Sequence, residues 1–525
     1  MEEKTYIKRL GILFIIALFS LAPFAYQKWN IGSEWRGVPT FYITDSLYYF
    51  IRMHEVVDGF PLGGNPYFLE HNSDRPPMFS IAETLAIAPV FLGFSFNTGF
   101  YIGMVVWNFI FLLLLFHIFK KIFPEHKLMP WIALGIVYAG TYGMMVRPVV
   151  MEVVLPFFAL FWYALLVWLE EPERKRNIVF LTLAFAATFY IYPYAWQIAV
   201  ATMFFAFVLI AFQGTRKQAM IVVGMFLVSL VLALPVLVHM IASLKDPLYL
   251  ESISRIGFHS SHIPAGEAWN TGRWIILGMI GFIMARSSQK PFFFITGLGI
   301  LAVLFSNVVT GKDFDLGNHA GRFAMFWMLV AFPALALNMR KRMVVLILII
   351  GSVGITRQLA RSINPPFNMD RLEENRRAQL YRAPIEWLDH REDSPKVVWA
   401  NEMSNYVSIL SKHYVLFPGQ LNYLLYVLPK EEIQERYLLS RSFEESPDYK
   451  REFAFFAGVG PDAMANKNAI IQHMRDLNRT AVHPNINDLL AKYHVSYIIK
   501  DVASKTVRGV DEVYRDSNFV IYERK

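Results

Sequence analysis

Apolar runs about as long as a bilayer is thick recur throughout this 525-residue chain, and they constrain its fold more than any other feature. Two of them read FYIGMVVWNFIFLLLLFHIF and MIVVGMFLVSLVLALPVLVHMIA. A helix needs roughly 20 apolar residues to cross the hydrocarbon layer. Hydrophobic residues make up 55% of the chain, and the mean hydropathy is +0.35. A closed barrel would show shorter, alternating segments instead. The sequence therefore predicts an all-α polytopic membrane domain.

About eleven segments are long and apolar enough to span the membrane. They lie at residues 8–26, 98–119, 129–146, 150–169, 178–193, 195–213, 219–242, 273–286, 291–309, 323–338 and 343–357. A further apolar stretch at 79–94, FSIAETLAIAPVFLGF, follows a Pro-Pro pair, contains Glu83 and is short for a span. Whether it crosses decides the orientation of every later loop.

The distribution of Lys and Arg answers that question. If 79–94 does not cross, every basic cluster lies on the side of the N-terminus: Lys4, Lys8 and Arg9, then Lys120, Lys121 and Lys127, then Arg174, Lys175 and Arg176, then Arg216 and Lys217, then Arg286 and Lys290, then Arg340, Lys341 and Arg342. Basic residues collect on the cytoplasmic side of membrane proteins. We therefore expect 79–94 to be an interfacial or re-entrant helix at the outer face of a cytoplasmic (inner) membrane. The segments that then face outward are 27–97, 147–152, 243–272 and 310–322.

The last third of the chain changes character. Residues 366–525 are mostly polar, and short β-like runs stand at 396–400, 414–417, 453–458, 495–501 and 518–524. Helical patterns intervene at 429–440 and 462–478, and strands that alternate with helices indicate an α/β domain. We predict a membrane domain at 1–360, in which 27–97 is a first outer loop with juxtamembrane helices. A soluble, extracytoplasmic α/β domain at 366–525 follows.

Charge and cysteine content exclude several function classes. The net charge is +8, but the basic residues gather in short loops between predicted spans rather than in a stripe with interleaved aromatics. We therefore predict a membrane-lipid environment and no nucleic-acid partner. The chain has no cysteine, so disulfides, thiolate metal sites and thiol nucleophiles are excluded.

The first outer loop opens with TDSLYYFIRMHE, in which Asp45, Tyr49 and Arg52 share one face of a predicted helix. A plain reading makes Asp45 part of an N-cap. The functional reading places its carboxylate in an outer-face site, with Tyr49 beside it. The polar stretch that follows adds His71 and Arg75 as candidates to line a substrate groove.

The second outer loop, TYGMMVRPVVMEVVLPFF, carries Arg147 and Glu152 at the ends of consecutive spans. A carboxylate at membrane depth is costly and needs a partner. Arg147 is one candidate. The alternative pairs Glu152 with Asp45 around a divalent cation, Mg²⁺ or Mn²⁺, or around an acceptor group. Arg147 is also a candidate to line the groove.

Two later loops and one aromatic turn complete the candidates. In TGKDFDLGNHAGRF, Arg322 and His319 precede a span, where an Arg either binds a lipid phosphate or extends to the interface. The loop at 243–272 offers Arg255, His259 and His262 to the groove, with no pattern that fixes zinc geometry. The turn FYIYPYAWQ is typical of an interfacial aromatic belt, with sugar stacking as the alternative.

The stretch TDSLYYFIRMHEVVDGFPLGGNPYF, with the later RPPMFSIAETLAIAPVFLGFS, resembles the first outer loop of oligosaccharyltransferase catalytic subunits and lipid A aminoarabinose transferases. Both kinds belong to the GT-C superfamily of glycosyltransferases. The Arg147/Glu152 turn resembles the second acidic loop of that superfamily, and GNHAGRF resembles the loop that holds lipid phosphate. The run LLAKYHVSYIIKD resembles C-terminal domains of bacterial members.

The resemblance implies an enzyme that moves a hexosyl or pentosyl group from a polyprenyl-phosphate-linked donor to a lipid, glycan or protein acceptor, with inversion. It implies that Asp45 is the base or positions a metal and that Glu152 is a second carboxylate. Arg322, with His319 and Arg52, would hold the donor phosphate. The oligosaccharyltransferase motif WWDYG is absent, which argues against transfer to Asn-X-Ser/Thr. A transporter or flippase is the alternative, although the inverted repeats typical of transporters are not evident.

Overall fold

The computed structural model describes residues 2–43, 45–74, 76, 79–284, 288–338, 363–367, 370–442, 447–504 and 510–524. The chain is mostly helical, and a helix covers each predicted span that lies within these ranges. The helices are Glu2–Leu18, Ala22–Ile31, Phe96–Ile122, Met129–Met145, Val150–Glu170, Lys175–Ile191, Pro193–Gln213, Arg216–Leu232, Leu234–Leu244, Gly266–Met284, Lys290–Leu304 and Leu316–Asn338. The predicted span at 343–357 lies outside the described residues.

Within the part of the chain that the structure describes, five helical segments are long and apolar enough to cross a membrane: Tyr6–Glu34, Phe96–Ile122, Val150–Glu170, Pro193–Gln213 and Leu316–Ala336. A sixth is added if Arg216–Leu232 and Leu234–Leu244, which meet at a 64° bend, are one span. By length and composition this is a multi-pass membrane protein. The predicted number of about eleven spans is not confirmed. One reason is that Met129–Met145 and Lys175–Ile191 have 17 residues each, a rise of about 25 Å.

The chain divides into two compact units. The first unit comprises Met1–Pro23, Phe79–His239 and Ser260–Asn368, and the second comprises Phe24–Met78, Met240–His259 and Met369–Lys525. The first outer loop up to residue 78 is thus in the same unit as the C-terminal region. The boundary predicted at 360–366 stays a prediction.

Aromatic side chains form much of the core of the first unit. Trp162 is fully buried, and its ring stacks on Phe326 at a centroid distance of 4.8 Å. Phe158 meets Phe323 edge to face at 4.5 Å. The indole N–H of buried Trp327 donates to Thr296 Oγ1 at 3.0 Å, which satisfies the polar end of the ring. These contacts fix the helix Leu316–Asn338, which carries His319 and Arg322, against its neighbours.

The stretch at 79–94 forms a short α-helix, Ala82–Ala86, and a 3₁₀ helix, Ala88–Leu92, so it is not a continuous spanning helix. It packs on Phe96–Ile122 where Gly103 permits close approach, because a Cβ there would lie 2.0 Å from the Ala86 carbonyl oxygen. The absence of a span at 79–94 agrees with the prediction from charge. Its position at the outer face stays a prediction.

The second unit contains a five-stranded sheet in the order Tyr414–Val415, Val397–Trp399, Val495–Asp501, Phe519–Glu523 and Asp511–Arg515. The first three strands are parallel to one another. The strand Phe519–Glu523 pairs antiparallel with both of its neighbours, Val495–Asp501 and Asp511–Arg515. The helices of this unit include Asp45–Val57, Tyr249–Arg255, Leu372–Leu380, Arg382–Arg391, Ser404–Leu410, Lys430–Arg441, Pro461–Ala465, Lys467–Leu477 and Ile486–Lys492. The predicted α/β character of residues 366–525 is therefore present.

One predicted strand is wrong. Residues 453–458 form a helix, Phe453–Ala457, rather than a strand. Phe453 and Phe456 lie one helical turn apart and are both buried, with ring centroids 5.5 Å apart. The apolar run therefore fits a helix as well as a strand, and tertiary burial decides between them.

Side-chain hydrogen bonds hold the chain before the first outer helix against the C-terminal region. Asn375 Oδ1 accepts from the Phe41 N–H at 3.1 Å, and Asn375 Nδ2 donates to the Phe41 carbonyl at 2.7 Å. Gln379 makes the equivalent pair of bonds with Val38, each 3.1 Å. Farther along the loop, the Val415 N–H donates to the Tyr67 carbonyl at 2.9 Å. The segment 36–67 is thus an integral part of the second unit.

Candidate functional site

Three ionisable side chains of the first unit lie within electrostatic range of one another at His319. His319 and Arg322 lie one turn apart in the first turns of Leu316–Asn338. Arg147 follows the helix Met129–Met145, and both guanidinium groups act electrostatically on His319. The structure thus brings together the second outer loop and the GNHAGRF loop, which the sequence singled out separately. We refer to Arg147, His319 and Arg322 as the cationic cluster.

Two tyrosines of the turn FYIYPYAWQ orient His319. His319 Nδ1 lies 2.5 Å from the Tyr192 hydroxyl oxygen. Its ring stacks on Tyr194 at a centroid distance of 4.5 Å and an interplanar angle of 9°. The Tyr194 hydroxyl in turn donates to the Phe314 carbonyl. The turn FYIYPYAWQ therefore supports the histidine, a role that its composition alone does not reveal.

Arg322 keeps most of its hydrogen-bonding capacity. Its one hydrogen bond among the described residues is a long one, from Nη2 to Asn318 Oδ1 at 3.4 Å, and no described carboxylate lies within ion-pair distance. Asn318 Nδ2 in turn donates to Asp315 Oδ2 at 3.0 Å. Burial raises the pKa of Asp315, whose carboxylate also lies 3.4 Å from His319 Nε2. A half-buried guanidinium in this state can take a bidentate anion.

Glu152 is fully buried in the first turn of Val150–Glu170. Its Oε2 accepts from the Val149 N–H at 3.2 Å, whereas Oε1 has no hydrogen-bond partner among the described residues. Within those residues Glu152 forms no ion pair with Arg147. Val149 has φ 64° and ψ −63°, and the Val150 N–H donates to the Pro148 carbonyl at 2.9 Å. This is a strained γ-turn, and strain of that kind is concentrated at functional sites.

Asp45, Tyr49 and Arg52 lie in the second unit, on the helix Asp45–Val57. Asp45 is the first residue of that helix and is half-buried, as is Tyr49 one turn later. Arg52 is different, because only 3% of its surface is exposed and it pairs with Glu55. Its Nη1 also donates to the Gly64 carbonyl and the Tyr426 hydroxyl, each at 3.1 Å. These contacts fix the Arg52 side chain within the second unit, and its role in binding phosphate stays a prediction.

His71 belongs to a network of charged groups in the second unit. Its Nδ1 lies 2.7 Å from Asp74 Oδ2, and its Nε2 lies 3.1 Å from both Glu432 oxygens. Arg436 is 1% exposed and bridges two carboxylates. Its Nε donates to Glu432 Oε1 at 2.8 Å, and its Nη2 donates to Glu70 Oε2 at 2.7 Å. The hydrogen bond to Glu432 raises the pKa of His71. Burial raises the pKa of Glu432, but bonds to His71 and Arg436 outweigh it and bring that pKa to about 2. The ring of His71 is therefore held in place by carboxylates on two sides.

The remaining groove candidates are distributed over both units. Arg255 is buried in the second unit, where it pairs with Glu251 at 2.8 Å and donates to the Leu428 carbonyl at 2.7 Å. His259 is exposed in the same unit, with Nδ1 2.9 Å from the Gly257 carbonyl oxygen. In the first unit, His262 Nδ1 lies 3.0 Å from the Val308 carbonyl oxygen. Arg75 lies outside the described residues.

A divalent cation requires several oxygen or nitrogen ligands at one place. Among the described residues, no group of three or more His, Asp and Glu side chains could hold a metal ion. The predicted Mg²⁺ or Mn²⁺ site at Asp45 and Glu152 stays a prediction.

Comparisons with known proteins found similar solved structures. No protein-family model matches the chain, and no curated protein matches it. The chain is similar to ArnT from Cupriavidus metallidurans in the apo state and bound to undecaprenyl phosphate. Each of these has 11% identity and a TM-score of 0.48, and the match covers 99% of this chain and 98% of that chain. It is also similar to the Archaeoglobus fulgidus oligosaccharyltransferase in complex with Zn and sulfate. That match has 12% identity and a TM-score of 0.44, over 93% of this chain and 68% of that chain.

Proposed function

We propose that this chain is a GT-C-type membrane glycosyltransferase. It would move a sugar from a polyprenyl-phosphate-linked donor to an acceptor at the outer face of the cytoplasmic membrane. The observation that carries the proposal is the cationic cluster, two of whose members, His319 and Arg322, lie at the start of an apolar helix long enough to cross a bilayer. Its Arg322 has no carboxylate partner among the described residues. A cation in that position suits the phosphate of a lipid whose chain lies in the membrane.

The cluster would stabilise the leaving group. As the bond between the anomeric carbon and the phosphate oxygen breaks, the electron pair goes to that oxygen and negative charge builds on the phosphate. The guanidinium of Arg322 would bind two phosphate oxygens, and preorganised cations of this kind lower the barrier. Tyr192 and Tyr194 would keep His319 oriented beside the phosphate oxygens, and Arg147 would supply a second positive charge. The cluster therefore matches the charge that develops during transfer.

The carboxylates would act on the acceptor. Asp45 would take the proton of the acceptor hydroxyl as its oxygen bonds to the anomeric carbon. Attack opposite the departing phosphate inverts the configuration at that carbon. Glu152 would accept a hydrogen bond from a sugar or acceptor hydroxyl through Oε1, the oxygen without a partner among the described residues. The acceptor would be a lipid, a glycan or a protein.

The experiment that tests the proposal measures release of polyprenyl phosphate by the purified protein in detergent. Detergent abolishes the two compartments that a flippase needs, so release of the lipid phosphate would report chemistry alone. We expect Asp45→Asn to abolish release, because a carboxamide is a poor proton acceptor. Asp58→Asn is the matched control, since this carboxylate follows the same helix and lies 3.1 Å from His54.

Two outcomes would contradict the proposal. If the wild-type protein releases no polyprenyl phosphate with any lipid, glycan or peptide acceptor, the transferase is refuted and the flippase alternative gains. If Asp45→Asn and Asp58→Asn retain equal activity, Asp45 is a helix-capping residue and the base lies elsewhere.

A further inference from the structure

A carboxylate lies at the edge of the cationic cluster, and the proposed reaction gives it no role. Asp315 immediately precedes the helix Leu316–Asn338, and its Oδ2 lies 3.4 Å from His319 Nε2. The side chain of Asp315 is 48% exposed, so its charge is open to a group that binds at the cluster. Arg322 lies seven residues farther along the chain, a rise of about 10 Å in a helix. The charge of Asp315 therefore acts on whatever Arg322 holds.

Helix capping does not account for Asp315. A capping Asp accepts from a backbone N–H in the first turn. Among the described residues, the one hydrogen bond to the Asp315 carboxylate comes instead from the side chain of Asn318, at 3.0 Å. The backbone N–H of Leu316 donates to a different residue, Asp313 Oδ1, at 3.4 Å. Asp315 also has φ 55°, in the left-handed region that residues other than glycine rarely adopt.

Asp315 is negatively charged at neutral pH. Burial raises the pKa of its carboxyl group, and the charges of Glu267 and Asp313 raise it further. The hydrogen bond from Asn318 and the charge of Arg322 oppose this rise in pKa. Rises large enough to neutralise a carboxylate at pH 7 occur in fully buried groups, whereas Asp315 is about half exposed. The cluster thus combines the positive charges of two guanidinium groups with a negative charge at its edge.

The proposed transfer changes the charge of the phosphate group. The donor is a phosphodiester, which carries one negative charge. When its bond to the anomeric carbon breaks, the released lipid phosphate is a monoester with a charge of about −1.5 to −2 at pH 7. The proton of the acceptor hydroxyl leaves separately, which balances the charge. Cations alone would bind this product more tightly than the donor, so the product would block the site.

We propose that Asp315 lowers the affinity of the cationic cluster for the lipid phosphate product relative to the donor, which limits product inhibition. The inference rests on the proposed function and extends it to the step after transfer. Asp315 repels each negative charge held at Arg322, so the product with two charges is disfavoured about twice as strongly as the donor with one. At an effective dielectric constant of about 20, two unit charges about 10 Å apart change an affinity about ten-fold.

Binding of two lipid probes to the full-length protein in detergent tests the proposal without turnover. Farnesyl methyl phosphate is a diester and represents the donor, and farnesyl phosphate is a monoester and represents the product. Titration calorimetry at pH 8 gives both dissociation constants. In Asp315→Asn we expect the diester to bind about ten-fold more tightly and the monoester about 100-fold more tightly, because the gain is multiplied for each charge.

The substitution Asp315→Asn should leave the fold intact. The new amide oxygen can still accept from Asn318, and Asn tolerates the left-handed conformation better than most residues. We therefore expect an unchanged melting temperature. Asp315→Gly is the second variant if Asp315→Asn does not fold, because glycine also fits φ 55° and also removes the charge. It should shift the ratio of the two dissociation constants by the same factor of about ten.

Glu125→Gln is the matched control. This exposed carboxylate precedes the helix Met129–Met145, whereas Arg147 follows that helix, so its charge is remote from the cluster. We expect it to change neither dissociation constant. The inference is overturned if the ratio of the two constants is the same in the wild type and the Asp315 variants, or if Glu125→Gln shifts it equally. If neither lipid binds the wild type, the phosphate site of the proposed function is refuted as well.

Discussion

The substitution Arg322→Lys tests whether Arg322 acts through the bidentate geometry of its guanidinium group or only through its positive charge. Lysine keeps the positive charge but cannot bind two phosphate oxygens in a fixed geometry. If Arg322 holds the donor phosphate, the variant loses one charge-assisted hydrogen bond in the transition state. Such a bond contributes about 1.5–3 kcal/mol. That range corresponds to a decrease of about 10- to 150-fold in kcat/KM for the donor.

The structure indicates that this loss will not come from unfolding. Arg322 is half-buried, its one described hydrogen bond is the 3.4 Å contact with Asn318, and no described carboxylate pairs with it. Replacing it should therefore change the free energy of unfolding by no more than about 0.5 kcal/mol. Arg322→Ala removes the charge as well, so we expect a decrease of at least about 100-fold in kcat. Melting temperatures of both variants should match that of the wild type.

Steady-state kinetics with donor and acceptor varied separately is the assay. Lys312→Ala is the matched control, because this lysine is in the same loop but is exposed and donates to Ser260 Oγ at 2.9 Å. We expect the control to leave both Michaelis constants unchanged. The reasoning is refuted if Arg322→Ala raises only the Michaelis constant of the acceptor, or if Arg322→Lys retains wild-type kcat/KM. Arg147 would then be the next candidate to hold the phosphate.

Three further predictions follow from the described contacts. Arg52→Lys should lower the melting temperature, because it loses hydrogen bonds to Gly64 and Tyr426, and the loss of stability should be about 1–3 kcal/mol. The pKa of His71 is raised in the folded state. Protonated His71 therefore stabilises the fold fully below its ordinary pKa, and this contribution is lost as pH rises through the raised value. Backbone amide hydrogen exchange at residues 65–74 should therefore quicken from pH 6 to pH 9 by more than the intrinsic pH dependence of amide exchange. In His71→Gln this extra increase should disappear. Glu152→Gln should lower kcat without lowering the melting temperature, since one carboxylate oxygen has no described partner. Activity retained in Glu152→Gln would count against a role in transfer.

Much of the fold could be predicted because the decisive signals are local. A run of about 20 apolar residues specifies a helix wherever it occurs, and the position of Lys and Arg indicated that 79–94 is not a span. The strand Asp511–Arg515 was missed because it is polar and lies at the edge of the sheet, where burial leaves no apolar pattern. The prediction of a strand at 453–458 was wrong for the opposite reason, because this run is so apolar that it fits both the spacing of a helix and the alternation of a strand.

The roles of individual side chains depended on contacts that sequence spacing does not encode. The resemblance implies that Arg52 holds phosphate, and this stays a prediction. Its hydrogen bond to Tyr426, 374 residues away, is a contact that spacing could not reveal. Tyr192 supports His319 across 127 residues, and only the tertiary fold brings them together. Arg322 could be selected from sequence because a cation at the start of an apolar helix is itself a local signal.

The fate of a donor labelled with ¹³C at its anomeric carbon tests the central claim most directly. With purified wild-type protein and an acceptor, the signal of the sugar phosphodiester should disappear. A glycoside signal of the opposite anomeric configuration should replace it, together with one polyprenyl phosphate per glycoside. If the donor stays intact in detergent, and crosses the bilayer intact when the protein is reconstituted in vesicles, the chain is a lipid carrier and not a transferase.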